Sequence, residues 1–529
     1  MKNKSQLILL SVGLLGLVSC QPSSTGVNYT QYLDHTAKVE ISSSNSSDGI
    51  INPNDVEISE TYQSIVNKRQ YNTQVLPSTG DVNILVVPLI VPGYETIDID
   101  NDGTSDNQKV KEDINKAFFS EDSSDDFFSV KEFYKQSSFG KLNLQGEVTD
   151  YISINEDLET SYTTAASISL TDTYNIVNEI CDYLSDVKGM DLTKYDNNKD
   201  GYIDGIWCIY SCPDYSNGGP NTDDKNFWAY TSWGNQTTSS GGRPANVNKP
   251  VYNLFGWASY DFMYEGYGLK KLDTHTYIHE TGHFLGLSDY YSDTTTYNPA
   301  GKVDMMDSNI IDINSYAKML LGWTKPYIGQ GNGEITINSM QNENSLIVIP
   351  DDSYSLTKNK DGKYEFDPFS EYMVVELYTN EGLNYPDSRT AISDRPLAMN
   401  DVGVRMYHID NRKYLVDSSD KTNIYSKLYE GETIDSKHKL ILPISNSRSI
   451  DTYNTNFKVS QDDNLFDEIR VIEASKKNTF NYGGYQTSKT LFKTGNKFLM
   501  SEYTDFFVNQ NKMDSGNSFS KVIDFKEVK

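Results

Sequence analysis

The chain predicts a mixed α/β (α+β) domain followed by a β-rich C-terminal region, and three observations carry that expectation. Residues 83–91 read NILVVPLIV, a continuous apolar run suited to a buried strand. Residues 273–285 follow a helical pattern, opened by Asp273 as a capping residue. Beyond residue 326 the apolar stretches are short and separated by Asn, Asp, Ser and Gly. Residues 345–349, 372–377, 402–409 and 439–443 therefore read as antiparallel strands.

In chain order, residues 1–19 begin with Lys2 and Lys4 and run into an apolar stretch from Leu7 to Val18. This is a secretory signal, too short to cross a bilayer as a helix. Its end, Leu17-Val18-Ser19-Cys20, resembles the lipobox of bacterial lipoproteins, whose cysteine receives a diacylglycerol thioether. The expectation is an extracytoplasmic protein held at a bacterial membrane surface through Cys20. Residues 20–80 are rich in Ser, Asn and Thr without sustained apolar periodicity, and are expected to form a flexible stalk.

An α/β unit is expected over 81–325 and the β-rich region over 326–529. Within the first, residues 130–136 read as a helix, 139–148 lead into β-structure, and 169–184 show helical spacing. Residues 207–212 alternate as a strand and contain Cys208 and Cys212, which at about 13 Å apart are too distant to pair. A bond from Cys181 to either is open, as is a set of buried free thiols. The formal charge is −28, and loss of Lys2 and Lys4 with the signal lowers it by two more. Such an acidic surface excludes nucleic acid as a partner and argues against charge-driven adhesion to anionic lipid. The sequence carries no signal for oligomeric state.

The densest chemistry lies in His279-Glu280-Thr281-Gly282-His283 and its continuation to Gly286 and Asp289. Residues four apart share one helical face, so His279 and His283 can aim their imidazoles at one zinc ion. Glu280, one residue round the helix, is placed to be a general base. Gly286 lets the chain leave the helix, and Asp289 falls ten residues after His279. That is the third-ligand position of HExxHxxGxxH, with Asp in place of the last His. Met305-Met306 follow at the place of a methionine turn, Met306 being the candidate. His275 shares the helical face, but three protein ligands suffice when the fourth position is open. It is therefore read as an outer-shell or surface residue.

A second pattern, Asp196-Asn197-Asn198-Lys199-Asp200-Gly201-Tyr202-Ile203-Asp204, places oxygen side chains at loop positions 1, 3, 5 and 9. Glycine stands at position 6 and the carbonyl of Tyr202 at position 7. Asp196, Asn198, Asp200, Tyr202 and Asp204 are thus candidate ligands for a structural calcium ion. Trp207 at position 12 means that this is no complete EF-hand. Asp98, Asp100, Asp102 and Asp106 form a similar, weaker string.

The string HETGHFLGLSDYY resembles that of the immune-inhibitor-A-type secreted bacterial metallopeptidases. Residues 129–142, 195–205 and 315–323 resemble, in order, that family's segment before the catalytic helix, its Asp-rich loop and its segment after the methionine turn. The resemblance covers roughly 81–325, with weaker echoes at 370–376 and 403–410. It implies a metzincin-like zinc endopeptidase acting on protein or peptide substrates. His279, His283 and Asp289 would be the zinc ligands, Glu280 the base and Met306 the turn. The Ser288-Asp289-Tyr290 sequence departs from the family's more usual Pro-Asp-Glu. The alternatives are a noncatalytic surface-binding lipoprotein, from which the intact Glu280 points away, and a zinc hydrolase of another amide or ester.

Overall fold

The computed structural model describes residues 34–43, 49–68, 74–121, 127–234, 242–291, 298–392, 395–417, 428–435, 437–442, 468–506 and 519–529. The signal at 1–19 and the candidate lipidation site Cys20 lie outside the described residues. No helix among those described is long and apolar enough to cross a membrane.

The first described element is a strand, β1 (Thr36–Ser42), followed by a short helix, α1 (Tyr62–Val66). The stalk expectation gives way here. β1 is an interior strand that pairs antiparallel with two strands of the C-terminal region. Its inward residues Ala37, Val39 and Ile41 are almost fully buried. The physical reason is a period-two alternation, TAKVEIS, set in otherwise polar sequence. In α1, Tyr62 and Ile65 pack into the main core.

The next elements are β2 (Gly80–Ile90), α2 (Asn107–Phe119), α3 (Val130–Ser137) and β3 (Leu142–Val148). After them come α4 (Leu170–Asp182), β4 (Ile206–Tyr210), β5 (Tyr230–Trp233), β6 (Leu254–Ser259) and α5 (His275–Phe284). The sheet order is β3-β2-β4-β6-β5. The pairs β2/β3, β2/β4 and β4/β6 are parallel, and the terminal strand β5 is antiparallel to β6. Side chains alternate between faces, and both faces are covered. Ile84 and Val86 join one core with α2, α3 and α5, while Leu85, Val87 and Leu89 join a second core with α4. This double covering accounts for the unbroken apolar run. Cys181, Cys208 and Cys212 are buried free thiols in the second core.

The chain continues through α6 (Ser315–Leu320), β7 (Gly333–Asn338), β8 (Leu346–Pro350), β9 (Glu371–Tyr378), β10 (Gly403–Asp410), β11 (Ile469–Ile472) and β12 (Val522–Val528). A six-stranded sheet contains β8-β9-β10-β11, and β7-β1-β12 form most of a second sheet. Val39, Ile41, Ile335, Ile349, Met373, Val375, Met406 and Phe525 fill the space between the two sheets. The opposite face of the six-stranded sheet presents Val348, Val374, Tyr407, Ile409 and Val471 to the core that also holds Phe284, Tyr290 and Tyr316. The C-terminal region therefore backs directly onto the segment carrying the HExxH helix.

Candidate functional site

Helix α5 is held from several sides. Asp273 Oδ1 accepts the N–H of His275 at 3.1 Å, and the Tyr134 hydroxyl of α3 donates to the Ile278 carbonyl at 2.6 Å. The helix stops at Gly286, whose φ of +96° is a left-handed conformation that a side chain would strain. Leu287 N–H returns to the Gly282 carbonyl at 3.1 Å, turning the chain back toward the helix. Gly282 leaves room for Met306, because a Cβ there would displace the Met306 sulfur. Met306 is fully buried, so its sulfur lies against the helix between the two histidine turns.

The turn brings Asp289 onto the histidine face. Asp289 Oδ1 lies 3.0 Å from His279 Nε2 and 3.2 Å from His283 Nε2. Both Nδ1 atoms are occupied elsewhere, at 2.8 Å from the Met305 carbonyl for His279 and 2.8 Å from the Leu287 carbonyl for His283. A carbonyl only accepts, so each Nδ1 carries a proton and each Nε2 is left facing the centre, where it would offer its lone pair to a metal once deprotonated. Donors bound to one small ion at about 2.0–2.1 Å in a tetrahedral arrangement stand about 3.3 Å apart. The two distances from Asp289 Oδ1 are close to that spacing, so the carboxylate and the two imidazoles could hold a tetrahedral cation and leave a fourth position open.

The electrostatics point the same way. Burial alone would lower both imidazoles, yet the Asp289 carboxylate outweighs it, raising His279 and pushing His283 up to about 10. Burial would raise Asp289, but His283 and His279 hold it well below the usual carboxylate range. The cluster is arranged around positive charge.

Glu280 is largely buried beside this centre and, with His279 and His283, can offer a ligand atom within 4.8 Å of the others. The Thr231 hydroxyl of β5 lies 2.9 Å from Glu280 Oε2 and 3.0 Å from its carbonyl oxygen. A hydroxyl donated to the carboxylate fixes which way that carboxylate faces. His275 takes no part in the three-donor set: its ring is 6.0 Å from that of His279, and its Nε2 is buried without a hydrogen-bond partner. Burial, with the Arg395 charge adding to it, holds its pKa well below the imidazole range, so this ring is neutral. Tyr291 stacks toward His279 with ring centroids 6.4 Å apart, whereas Tyr290 and Tyr316 are core residues.

Two residues that sequence reasoning missed support the centre from far along the chain: Thr231 and Glu468. Glu468 Oε2 accepts the Ser288 hydroxyl at 2.5 Å, and its Oε1 accepts those of Tyr316 at 2.9 Å and Tyr62 at 3.3 Å. No local signal marked either, since a threonine in a strand and a glutamate before another are ordinary until the fold sets them beside residues 280 and 288.

The acidic loop is assembled by its own backbone. Asp196 accepts the N–H groups of Asp200 and Gly201 at 2.9 and 2.8 Å, Asn198 that of Asp200 at 3.0 Å, and Asp200 that of Tyr202 at 3.0 Å. Asp204 is fully buried; its Oδ2 accepts Asn197 N–H at 2.6 Å and its Oδ1 has no partner. Burial pushes Asp204 up to about 7. Asp98 repeats the pattern with the N–H groups of Asp102 and Gly103 at 3.1 and 2.9 Å, and Asp98, Asp100 and Asp106 can converge within 4.8 Å.

No curated protein was found to match the chain. Residues 99–311 match the family model for the immune inhibitor A peptidase M6 catalytic domain. That stretch runs from the first acidic string past the HExxH helix and the paired methionines. With a histidine pair, a carboxylate and an adjacent glutamate gathered at its centre, this part of the chain is similar to the catalytic domain of the immune inhibitor A peptidase M6 family, which supports a metallopeptidase.

Proposed function

We propose that the protein is an extracytoplasmic, zinc-dependent endopeptidase in which His279, His283 and Asp289 hold the ion and Glu280 is the general base. The observation that carries this reading is that Asp289 Oδ1 lies 3.0 Å from His279 Nε2 and 3.2 Å from His283 Nε2, with the Glu280 carboxylate beside them. Two imidazoles and one carboxylate suit zinc, whereas calcium or magnesium selects oxygen donors throughout. A bound zinc ion supplies Lewis acidity, lowering the pKa of a water to roughly 7 and polarising a peptide carbonyl.

The chain's own residues supply the rest. Glu280, oriented by Thr231, accepts a proton from the attacking water and returns it to the leaving amine, so one carboxylate serves both halves of the hydrolysis. β5 is the terminal strand of its sheet among the described residues. An extended peptide added along it would lie near Glu280, to which Thr231 of the same strand is hydrogen-bonded, and this favours protein and peptide substrates over small esters. Digestion of casein, compared with small amide substrates with and without a chelator, tests the reading. Casein cleavage that persists after complete metal removal would overturn it.

Two further parts belong to the same proposal. Asp196, Asn198, Asp200, the Tyr202 carbonyl and Asp204 hold a structural calcium ion, supported by the unpartnered Asp204 Oδ1. Cys20, at the end of Leu17-Val18-Ser19-Cys20, is lipidated and anchors the chain to a bacterial membrane. Cys20→Ala should release the protein from membranes in a fractionation experiment; unchanged membrane recovery would refute the anchor.

A further inference from the structure

Asp289 is the one candidate ligand that does not lie on helix α5. Its side chain is 30% exposed, and its direction is set by the two peptides that flank it. On the far side, Tyr290 N–H donates to the Met306 carbonyl at 2.8 Å. On the near side, the Ser288 hydroxyl donates to Glu468 Oε2 at 2.5 Å, across 180 residues of sequence. Glu468 lies outside the 99–311 segment, at the start of β11, and is fully buried.

Burying a carboxylate is costly unless hydrogen bonds replace its water. Here they do: Oε2 takes Ser288, and Oε1 takes Tyr316 of α6 and Tyr62 of α1. Three separate elements are thereby tied to one carboxyl group directly behind the ligand loop. Burial pushes that carboxyl up to about 7, against the pull of the three hydroxyls. Backbone N–H groups of β10 and the catalytic segment's own carbonyls add to the anchorage: Asp410 N–H donates to the Glu468 carbonyl at 3.1 Å, and Val471 N–H donates to the Pro299 carbonyl at 2.9 Å.

We propose that Glu468 is a positioning residue of the metal centre: through Ser288 it fixes the peptide that aims Asp289 at the ion. The C-terminal region thus completes the site rather than only backing it. This rests on the reading of Asp289 as third ligand.

The test measures zinc affinity by chelator competition, the visible spectrum of the cobalt(II)-substituted protein, and thermal unfolding. Ser288→Ala should weaken zinc binding about 10- to 100-fold, as loss of an outer-shell partner does, and alter the cobalt spectrum with little change in unfolding temperature. Glu468→Leu should weaken zinc binding and alter the cobalt spectrum likewise, with a lower unfolding temperature because it leaves three hydroxyls unpartnered, and adding Ser288→Ala to it should cost no further zinc affinity. Glu468→Gln should recover most of the affinity, because its oxygen accepts from the tyrosines and its N–H donates to Ser288 Oγ. Wild-type affinity and spectrum in Ser288→Ala overturn the proposal, even if Glu468→Leu fails to fold. Asp289→Asn separates the two readings. Unchanged affinity there removes the third-ligand assignment, whereas lost affinity there with none lost in Ser288→Ala removes only the role of Glu468.

Discussion

The His279–Asp289 centre and the Asp196–Asp204 loop both gather oxygen or nitrogen donors within about ten residues of chain, yet the loop is held mainly by its own backbone and the centre mainly by distant residues. In the loop, Asp196, Asn198, Asp200 and Asp204 each accept an N–H from within the same nine residues, and outside contacts come from Gln74 to Asp200 and from Asn83 to Asn197. In the centre, His283 is fastened locally by the Leu287 carbonyl, but the rest is held from elsewhere: His279 by the Met305 carbonyl, Glu280 by Thr231, and Ser288 beside Asp289 by Glu468. The lesson concerns tolerance. A loop that builds itself survives changes elsewhere in the fold, whereas a centre braced by distant residues feels them.

The comparison breaks most sharply at the ligands themselves. His283→Ala should abolish stoichiometric zinc and peptidase activity while leaving calcium binding at the loop intact; unchanged metal content by elemental analysis would remove His283 from the ligand set. Next in size, Glu280→Gln should keep its zinc and lose about 10²–10⁴-fold in kcat, the usual worth of general acid–base catalysis. Casein digestion at the wild-type rate by that variant would refute the mechanism. A smaller effect is expected from Thr231→Val, which deletes one hydrogen bond to a charged group while keeping the side chain's shape. It should lower kcat about ten- to hundredfold with zinc content unchanged, and an unaltered kcat would show that the base needs no such brace.

The smallest change should come from the loop. Saturating calcium should raise the unfolding temperature by a few degrees, since ligand at about 100 times its Kd contributes about 2.7 kcal/mol. Asp204→Asn should remove that gain and leave zinc affinity untouched. A calcium-independent unfolding temperature in the wild type would argue against an ion in the loop. A fall in zinc affinity in Asp204→Asn would instead show that the two regions are coupled.

How much of this was legible beforehand follows from the range of the forces involved. The apolar run at 83–91, the helices at 130–136 and 169–184, and the four C-terminal strands appear close to their expected positions because each is marked by local periodicity. The strand Thr36–Ser42 was concealed by its Ser- and Asn-rich surroundings, although Ala37, Val39 and Ile41 alternate. What it pairs with, the strands at 333–338 and 522–528, no local reading could supply. The three cysteines show the same division: their spacing excluded one bond, and only packing showed all three to be buried thiols.

Local sequence carries the chemistry on offer: two imidazoles one helical turn apart, a glutamate beside them, a glycine that frees the turn, and an aspartate at the reach that turn allows. Those relations depend on 3.6 residues per turn and on backbone sterics, both of which act over a few residues. Tertiary structure alone decided how firmly that chemistry is held. Thr231, Met305, Met306 and Glu468 reach the centre only because a terminal strand, a turn and the C-terminal sheet pack around one shared core. Hydrophobic burial has no direction of its own, so the partners it brings together cannot be read from spacing.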